Sequence, residues 1–302
     1  MPELPEVETI RRGLSRVLPG RTIAAIRILT PLTASPAAAF FKNALAGYQV
    51  QAVNRRGKLL IFALNLGTKG KARLQSEKKF LLLHLKMTGQ LFYLDAYHHL
   101  AGGHNLTQES VADLFRRLPD KYTRAIIAFK RGGRLFFNDQ RRFGYLKLVD
   151  EKKLARILAA GYGPEPLTKE FSLEKFRAAL KGRRAPIKAV LLNQKLMAGL
   201  GNIYADESLF AARLRPNRPA AGLKAAESEK LWRAINSVIK EALKYRGTTF
   251  SAYRDASGRP GGFSARLKVY GRAGEKCRVC GGAIARLKIA GRGTNYCPHC
   301  QK

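Results

Sequence analysis

Two sets of residues, one at each end of the chain, have the types and spacing to do chemistry. At the start, Met1 is followed by Pro2 and Glu3. Removal of Met1 by an aminopeptidase, which the small second residue permits, leaves a secondary amine with a reference pKa of about 8. Such an amine is a nucleophile, and its attack on a sugar C1′ gives an iminium. A carboxyl beside it in a partly dry site has its pKa raised and can serve as general acid. By residue type alone, however, Pro2 and Glu3 read more readily as a terminus and a helix lead-in. At the other end, the four cysteines form Cys277-x2-Cys280-x16-Cys297-x2-Cys300. Two knuckles separated by a hairpin-length segment can set four thiolates tetrahedrally around one structural Zn2+. Two disulfides are the alternative, and a cytosolic chain of this size has little use for them. His299 lies inside the second knuckle, but four thiolates already close the site, leaving no ligand position for water or substrate.

The elements that must position these groups are constrained by composition. The chain has 302 residues, 46% of them apolar, which suits two globular domains. Its 56 Lys and Arg against 21 Asp and Glu leave a formal charge of +35, spread along the sequence rather than confined to a tail. That balance predicts a polyanionic partner, nucleic acid first. An anionic membrane is the rival, but the chain contains no apolar run long enough to span one and no dominant basic amphipathic helix. The acidic, proline-rich start is unlike a signal peptide, so the cytoplasm is the expected location.

The pattern Val7, Ile10, Leu14, Val17 predicts a buried helix from Pro5 to about Leu18, with Glu6 and Glu8 in the first turn. From Arg21 to Val149 the apolar runs are short and β-rich: Thr22 to Leu29, Lys58 to Leu64, Phe80 to Leu85, Arg124 to Phe129, Leu135 to Phe137 and Tyr145 to Val149. They predict a β-sandwich or barrel. The stretches Gly67 to Lys79 and Asp95 to Lys121 read as long polar loops or an extra short helix. After Asp150 the texture turns helical. Glu151 to Ala159 reads as a helix, Gly161 to Pro166 as a hinge, Ala225 to Tyr245 as the longest helix, and Gly247 to Phe263 as a loop. The expected fold class is therefore α+β. It has an N-terminal helix and β-sandwich domain (1–149), a hinge (150–166), a helical domain (167–264) and a zinc-finger hairpin (265–302).

The opening Met1-Pro2-Glu3-Leu4-Pro5-Glu6-Val7-Glu8-Thr9 resembles that of formamidopyrimidine-DNA glycosylases, repair enzymes for oxidised purines. Matching segments recur in family order: Arg55 to Lys58, His84-Leu85-Lys86-Met87-Thr88-Gly89, Asp139 to Gly144, Gly163 to Leu167, Gly199 to Tyr204 and the terminal finger. The resemblance implies a β-sandwich, a helix–two-turn–helix domain and a zinc finger in a monomer acting on double-stranded DNA. It implies that Pro2 forms a Schiff base with C1′, that Glu3 protonates the sugar ring oxygen, and that Lys58 is a further catalytic lysine. Arg292 of the finger contributes to the second of two eliminations, β then δ. Glu6 is either a support for Glu3 or the amine, or a first-turn dipole partner. A base inside a duplex is out of reach, so the nucleotide must flip. The resemblance assigns the filling of the gap to Met87, Arg141 and Phe143, although pattern alone places Met87 and Phe143 in β-core. Asn202 is expected to cap its helix and donate to a phosphate, with His84, Arg183 and Lys188 as further backbone contacts. Tyr122, which stands where the family usually carries a His-rich stretch, is a further expected DNA contact. An endonuclease VIII-like enzyme for oxidised pyrimidines and an inactive zinc-ribbon protein that coats nucleic acid are the alternatives.

Overall fold

In the computed structural model, which describes residues 1–66, 78–103, 115–248 and 262–302, helix α1 (Leu4–Val17) begins two residues after Pro2. Pro5 fits its first turn, where the missing N–H costs nothing. Val7, Ile10, Leu14 and Val17 fall on one face and are buried. They pack into a core shared with two five-stranded sheets. One sheet has the order β1 (Ile23–Ile28), β8 (Thr123–Phe129), β9 (Arg134–Asp139), β6 (Gly89–Leu94), β7 (His99–Gly103). The other runs β2 (Ala34–Ser35), β10 (Tyr145–Asp150), β5 (Lys79–His84), β4 (Leu59–Leu66), β3 (Tyr48–Arg56). All pairings are antiparallel except β2 with β10. Leu81, Leu83, Leu91, Tyr93, Ile127 and Phe137 supply facing layers of the core, as the two-residue period of a strand requires. Helix α2 (Ala38–Ala44) follows β2.

Two turns depart from expectation. Arg55 pairs with Leu60 and Arg56 with Leu59, so Gly57 and Lys58 form a two-residue hairpin turn, and Lys58 precedes the strand it was expected to open. Gly57 has φ +56°, the conformation such a turn requires at its first position. Within the stretch read as a polar loop, His99–Gly103 forms edge strand β7. Gly103 has φ +139°, and a Cβ there would lie 2.5 Å from the Gln90 backbone, so the strand depends on a residue of low β-propensity. Residues 67–77 and 104–114 of the two polar stretches, and residues 249–261 of the segment expected to form a loop, lie outside the described residues.

The chain divides into two units, Met1–Leu158 with Arg246–Gly262 and Ala159–Tyr245 with Phe263–Lys302. The segment after the longest helix thus groups with the amino-terminal unit and not, as expected, with the helical one. The cause is local: the Glu6 carboxylate accepts the Thr248 N–H at 2.9 Å. Helix α3 (Glu151–Gly161) carries the boundary. The second unit contains α4 (Leu173–Leu180), α5 (Ile187–Leu192), α6 (Asn202–Ala212), α7 (Ala225–Lys244) and the hairpin β11 (Ala285–Ile289), β12 (Arg292–Tyr296). In α7, Leu231, Ala234, Ile235, Ile239 and Ala242 are buried, close to the predicted face. The segment expected to act as a hinge is packed: Gly163 N–H donates to Gln194 O at 2.9 Å and Ala198 N–H to Pro164 O at 3.0 Å. A Cβ on Gly163 would sit 2.6 Å from the Leu196 carbonyl carbon, so only glycine allows this approach. Among the described residues, no helix is long and apolar enough to cross a membrane.

Candidate active site and nucleic-acid interface

Pro2 and Glu3 are both buried at the head of α1, Glu3 with 1% of its surface exposed. Glu6 reaches back from the first turn and its Oε2 accepts the Glu3 N–H at 2.9 Å, while Oε1 accepts the backbone N–H and hydroxyl of Thr248. Glu6 therefore fixes the Glu3 backbone as the third-position member of a capping box and also anchors Thr248. Gly247 makes that anchor possible. It has φ +82°, and a Cβ would lie 2.4 Å from Glu6 Oε1.

Lys58 is 5% exposed in the β3–β4 turn. Its strand neighbour Leu59 pairs with His84, which in turn pairs with Tyr145 and stacks on that ring at 5.6 Å. His84 Nδ1 accepts the Lys86 N–H at 2.9 Å, so a neutral ring carries its proton on Nε2. Burial lowers the imidazole pKa to about 3, helped by the charges of Lys86 and Lys58. His84 is thus a neutral hydrogen-bond donor at neutral pH.

Two loops carry the residues matched to the wedge. Met87, half-buried, sits in the turn from Leu85 to Gly89, closed by Gly89 N–H to Leu85 O at 2.9 Å. A Cβ on Gly89 would lie 2.3 Å from that same oxygen. The second loop runs from Asp139 to Gly144, and the Asp139 carboxylate organises both. It accepts the Thr88 hydroxyl from the first loop, and the Arg141 N–H at 3.2 Å and Gly144 N–H at 2.6 Å from the second. Arg141 N–H also reaches Thr88 Oγ1 at 3.0 Å. Between these fixed points Phe143 is 54% exposed, with the Arg141 guanidinium 4.8 Å from its ring centre. The β-core reading of Phe143 is therefore overturned. An exposed aromatic ring on a pinned loop is suited to entering a base step. Tyr122, half-buried, accepts the Asp139 N–H at its carbonyl oxygen at 2.9 Å, placing it behind this loop.

In the second unit, α5, two turns and α6 form one element braced by Gln194. Its side chain accepts the Gly199 N–H and donates to the carbonyls of Leu192 and Leu200. Asn202 does not cap α6; Gly201 holds that position, and the Asn202 amide donates to Gly293 O in the terminal hairpin at 2.9 Å. Lys188 also departs from expectation. It is 0% exposed and cannot meet a phosphate where it stands. Its Nζ lies 2.6 Å from Asp206 Oδ1 and donates to Thr294 Oγ1 at 2.8 Å and Gly293 O at 3.2 Å. Asp206 Oδ2 accepts the Asn295 N–H at 2.9 Å. Lys188 and Asp206 thus hold the strand that begins with Arg292. Arg292 itself is exposed beside the tight turn of Ala290 and Gly291, both at positive φ. Arg183 is exposed after α4, its Nε on Ala179 O at 2.8 Å. Asp139 and Asp206 carry most of this order and were not singled out in the sequence, because a lone Asp in a strand or helix has no signature of spacing.

The cysteines answer to a metal. All four are free, with sulfurs within 4.8 Å of one another; Cys280 and Cys297 lie 3.5 Å apart and Cys277 and Cys300 3.9 Å. Tetrahedral zinc with bonds of about 2.3 Å sets sulfurs about 3.8 Å apart, whereas a disulfide needs about 2 Å. Cys277, Cys297 and Cys300 pack with Phe210, Val269 and Ile284. One structural zinc fits this donor set.

A β-sandwich with a buried amino-terminal Pro-Glu pair, joined in sequence to a helix–two-turn–helix element and a four-cysteine hairpin, is the architecture of a class of DNA glycosylases. Three family models match in order: "Formamidopyrimidine-DNA glycosylase N-terminal domain" over residues 1–146, "Formamidopyrimidine-DNA glycosylase H2TH domain" over 162–254, and "Zinc finger found in FPG and IleRS" over 274–302. A formamidopyrimidine-DNA glycosylase of Desulfitobacterium hafniense is 41% identical over 303 residues, covering 100% of both chains. The structure of Lactococcus lactis Fpg in complex with abasic-site DNA superposes with a TM-score of 0.83 at 32% identity, again covering 100% of both chains. The same enzyme bound to DNA containing N7-benzyl-Fapy-dG gives 0.82 at 33% identity and the same coverage. The chain belongs to the formamidopyrimidine-DNA glycosylase family.

Proposed function

We propose that this chain, once Met1 is removed, excises oxidised purines such as 8-oxoguanine and formamidopyrimidines from duplex DNA and then cleaves the strand at the abasic site. The Pro2 nitrogen bonds to C1′ as the bond from C1′ to the base breaks. The departing base takes the bonding pair and the proton that the attached amine sheds; Glu3 then gives a proton to the ring oxygen as its bond to C1′ opens, and the freed nitrogen lone pair completes the iminium. That cation acidifies the sugar, so successive β- and δ-eliminations expel the two phosphates. Lys58 is the third catalytic group and Arg292 serves the δ step. Met87, Arg141 and Phe143 fill the space left by the flipped nucleotide, the Arg141 guanidinium being able to hydrogen-bond the orphaned base. His84, Arg183 and the backbone at the head of α6, next to Asn202, meet phosphates. Tyr122, whose backbone carbonyl ties it to the wedge loop, is a further DNA contact, and the zinc holds the hairpin in shape without taking part in the reaction.

The observation that carries this reading is the burial of Pro2 and Glu3 together, with Glu6 fixing the peptide between them and the helix. A solvent-exposed terminus would leave both groups with ordinary reactivity. Borohydride trapping tests it on duplexes carrying 8-oxoguanine or thymine glycol. A covalent adduct is expected on the purine lesion opposite cytosine. Glu3→Gln should bind the lesion duplex yet lose excision by at least about 100-fold, the lower end of the range for a general acid. An adduct on thymine glycol alone, or full turnover by Glu3→Gln, would overturn the assignment.

A further inference from the structure

Glu8 has no part in the chemistry above, yet its side chain is 10% exposed and gathers three guanidinium groups. Arg11 donates to it at 2.9 and 2.8 Å, Arg12 at 2.8 Å and Arg55 at 3.0 Å. Burial pushes the Glu8 carboxyl up, but Arg11 and Arg55 prevail and hold it down to about 2. Arg11 and Arg12 belong to α1 itself. Arg55 belongs to β3, and its other arm donates through Nη1 to Gly57 O at 2.8 Å. That oxygen lies on the peptide unit joining Gly57 to Lys58. A guanidinium is a rigid planar fork, so fixing one N–H on Glu8 and another on Gly57 sets the distance between those two points.

Docking of α1 does not require this arrangement. Val7, Ile10, Leu14 and Val17 already bury the helix, and the Ser15 hydroxyl donates to Val53 O at 3.1 Å. The strut adds something apolar packing cannot, a directional tie ending one peptide from Lys58. We propose that Glu8 and Arg55 are positioning residues, forming a buried strut that sets Lys58 relative to the Pro2 and Glu3 carried by the head of α1. This rests on the roles proposed for those three groups.

The test uses the full chain with Met1 removed and compares wild type, Glu8→Gln, Arg55→Lys and the double variant. Arg55→Lys keeps the charge but cannot span both acceptors. Single-turnover excision of 8-oxoguanine should fall about 10- to 100-fold in each single variant, the cost of a misplacement near 1 Å. Affinity for a duplex carrying an uncleavable tetrahydrofuran site should stay within about threefold, since neither residue faces DNA in this scheme. The double variant should be no slower than the slower single one, because one interaction is lost only once. Rates within about twofold of wild type, effects that multiply in the double variant, or rate losses matched by equal losses of affinity would overturn the strut. A wild-type enzyme that forms no borohydride adduct would overturn the functional reading itself, and the strut with it.

Discussion

His84 shows how one side chain can be read wrongly from its type and correctly from its neighbours. As a histidine near DNA it suggests a titrating cation, yet with Nδ1 occupied by Lys86 N–H and its pKa at about 3, it stays neutral in the native state. In the unfolded chain its pKa returns to about 6.5. Between those values the unfolded state binds a proton that the native state does not, so stability rises with pH and is lost as pH falls below about 6.5. Between about pH 7 and about pH 5.5 the wild type should therefore lose about 1 kcal/mol more than His84→Gln, measured from urea midpoints. Parallel pH profiles would show that the ring titrates normally. The same contrast limits what sequence can supply at this scale. Pro2, Glu3, Lys58 and the cysteines are legible because their chemistry follows from residue type plus order. Asp139, which pins both wedge loops, is one acidic residue at the end of a strand, and its value lies wholly in the N–H groups that the fold aims at it.

At the scale of elements, apolar period located most but not all of the core segments; β3 and β6, both core strands, were not predicted. Helix α1 and strands β1, β4, β5, β8, β9 and β10 fall within a few residues of their predicted spans. What else escaped was set by tertiary partners. Strand β7 is an edge carrying two glycines, and the Gly161–Pro166 segment reads as a hinge until Gln194 and Leu196 are seen against it. Lys188 escaped for the same reason, since a lysine in a cationic DNA-binding protein is expected to point outward. Its burial with Asp206 makes the α5–α6 element and the terminal hairpin one cooperative piece. Lys188→Met should cost about 3–5 kcal/mol by stranding the Asp206 carboxylate, and Lys188→Met with Asp206→Leu should recover much of it. Chemical denaturation of the zinc-loaded protein reads both. If the single variant is as stable as wild type while DNA affinity falls, Lys188 leaves its partner and meets a phosphate after all.

For the molecule as a whole, the formal charge of +35 invites the idea that DNA is held by bulk attraction. The structure argues for something sparser. Arg12 and Arg55 are spent on Glu8, Arg21 on Asp95, Arg218 on Glu227 and Arg272 on Glu275, while Lys188 is sealed inside. Each phosphate neutralised contributes about −0.9 to the slope of log affinity against log salt. Contact by a handful of cations therefore predicts a slope of about −5, against about −30 if the entire net charge were engaged. Individual residues can be sorted on the same plot. Arg183→Ala and Arg292→Ala should each flatten the slope by about 0.9, because each removes an exposed cation that releases a counterion. His84→Gln should lower affinity equally at every salt concentration, because a neutral donor makes its hydrogen bond without displacing an ion. A flattened slope in His84→Gln would mean that the phosphate itself protonates the ring on binding, and the neutral-donor account of the site would have to be replaced by one in which DNA recruits its own cation.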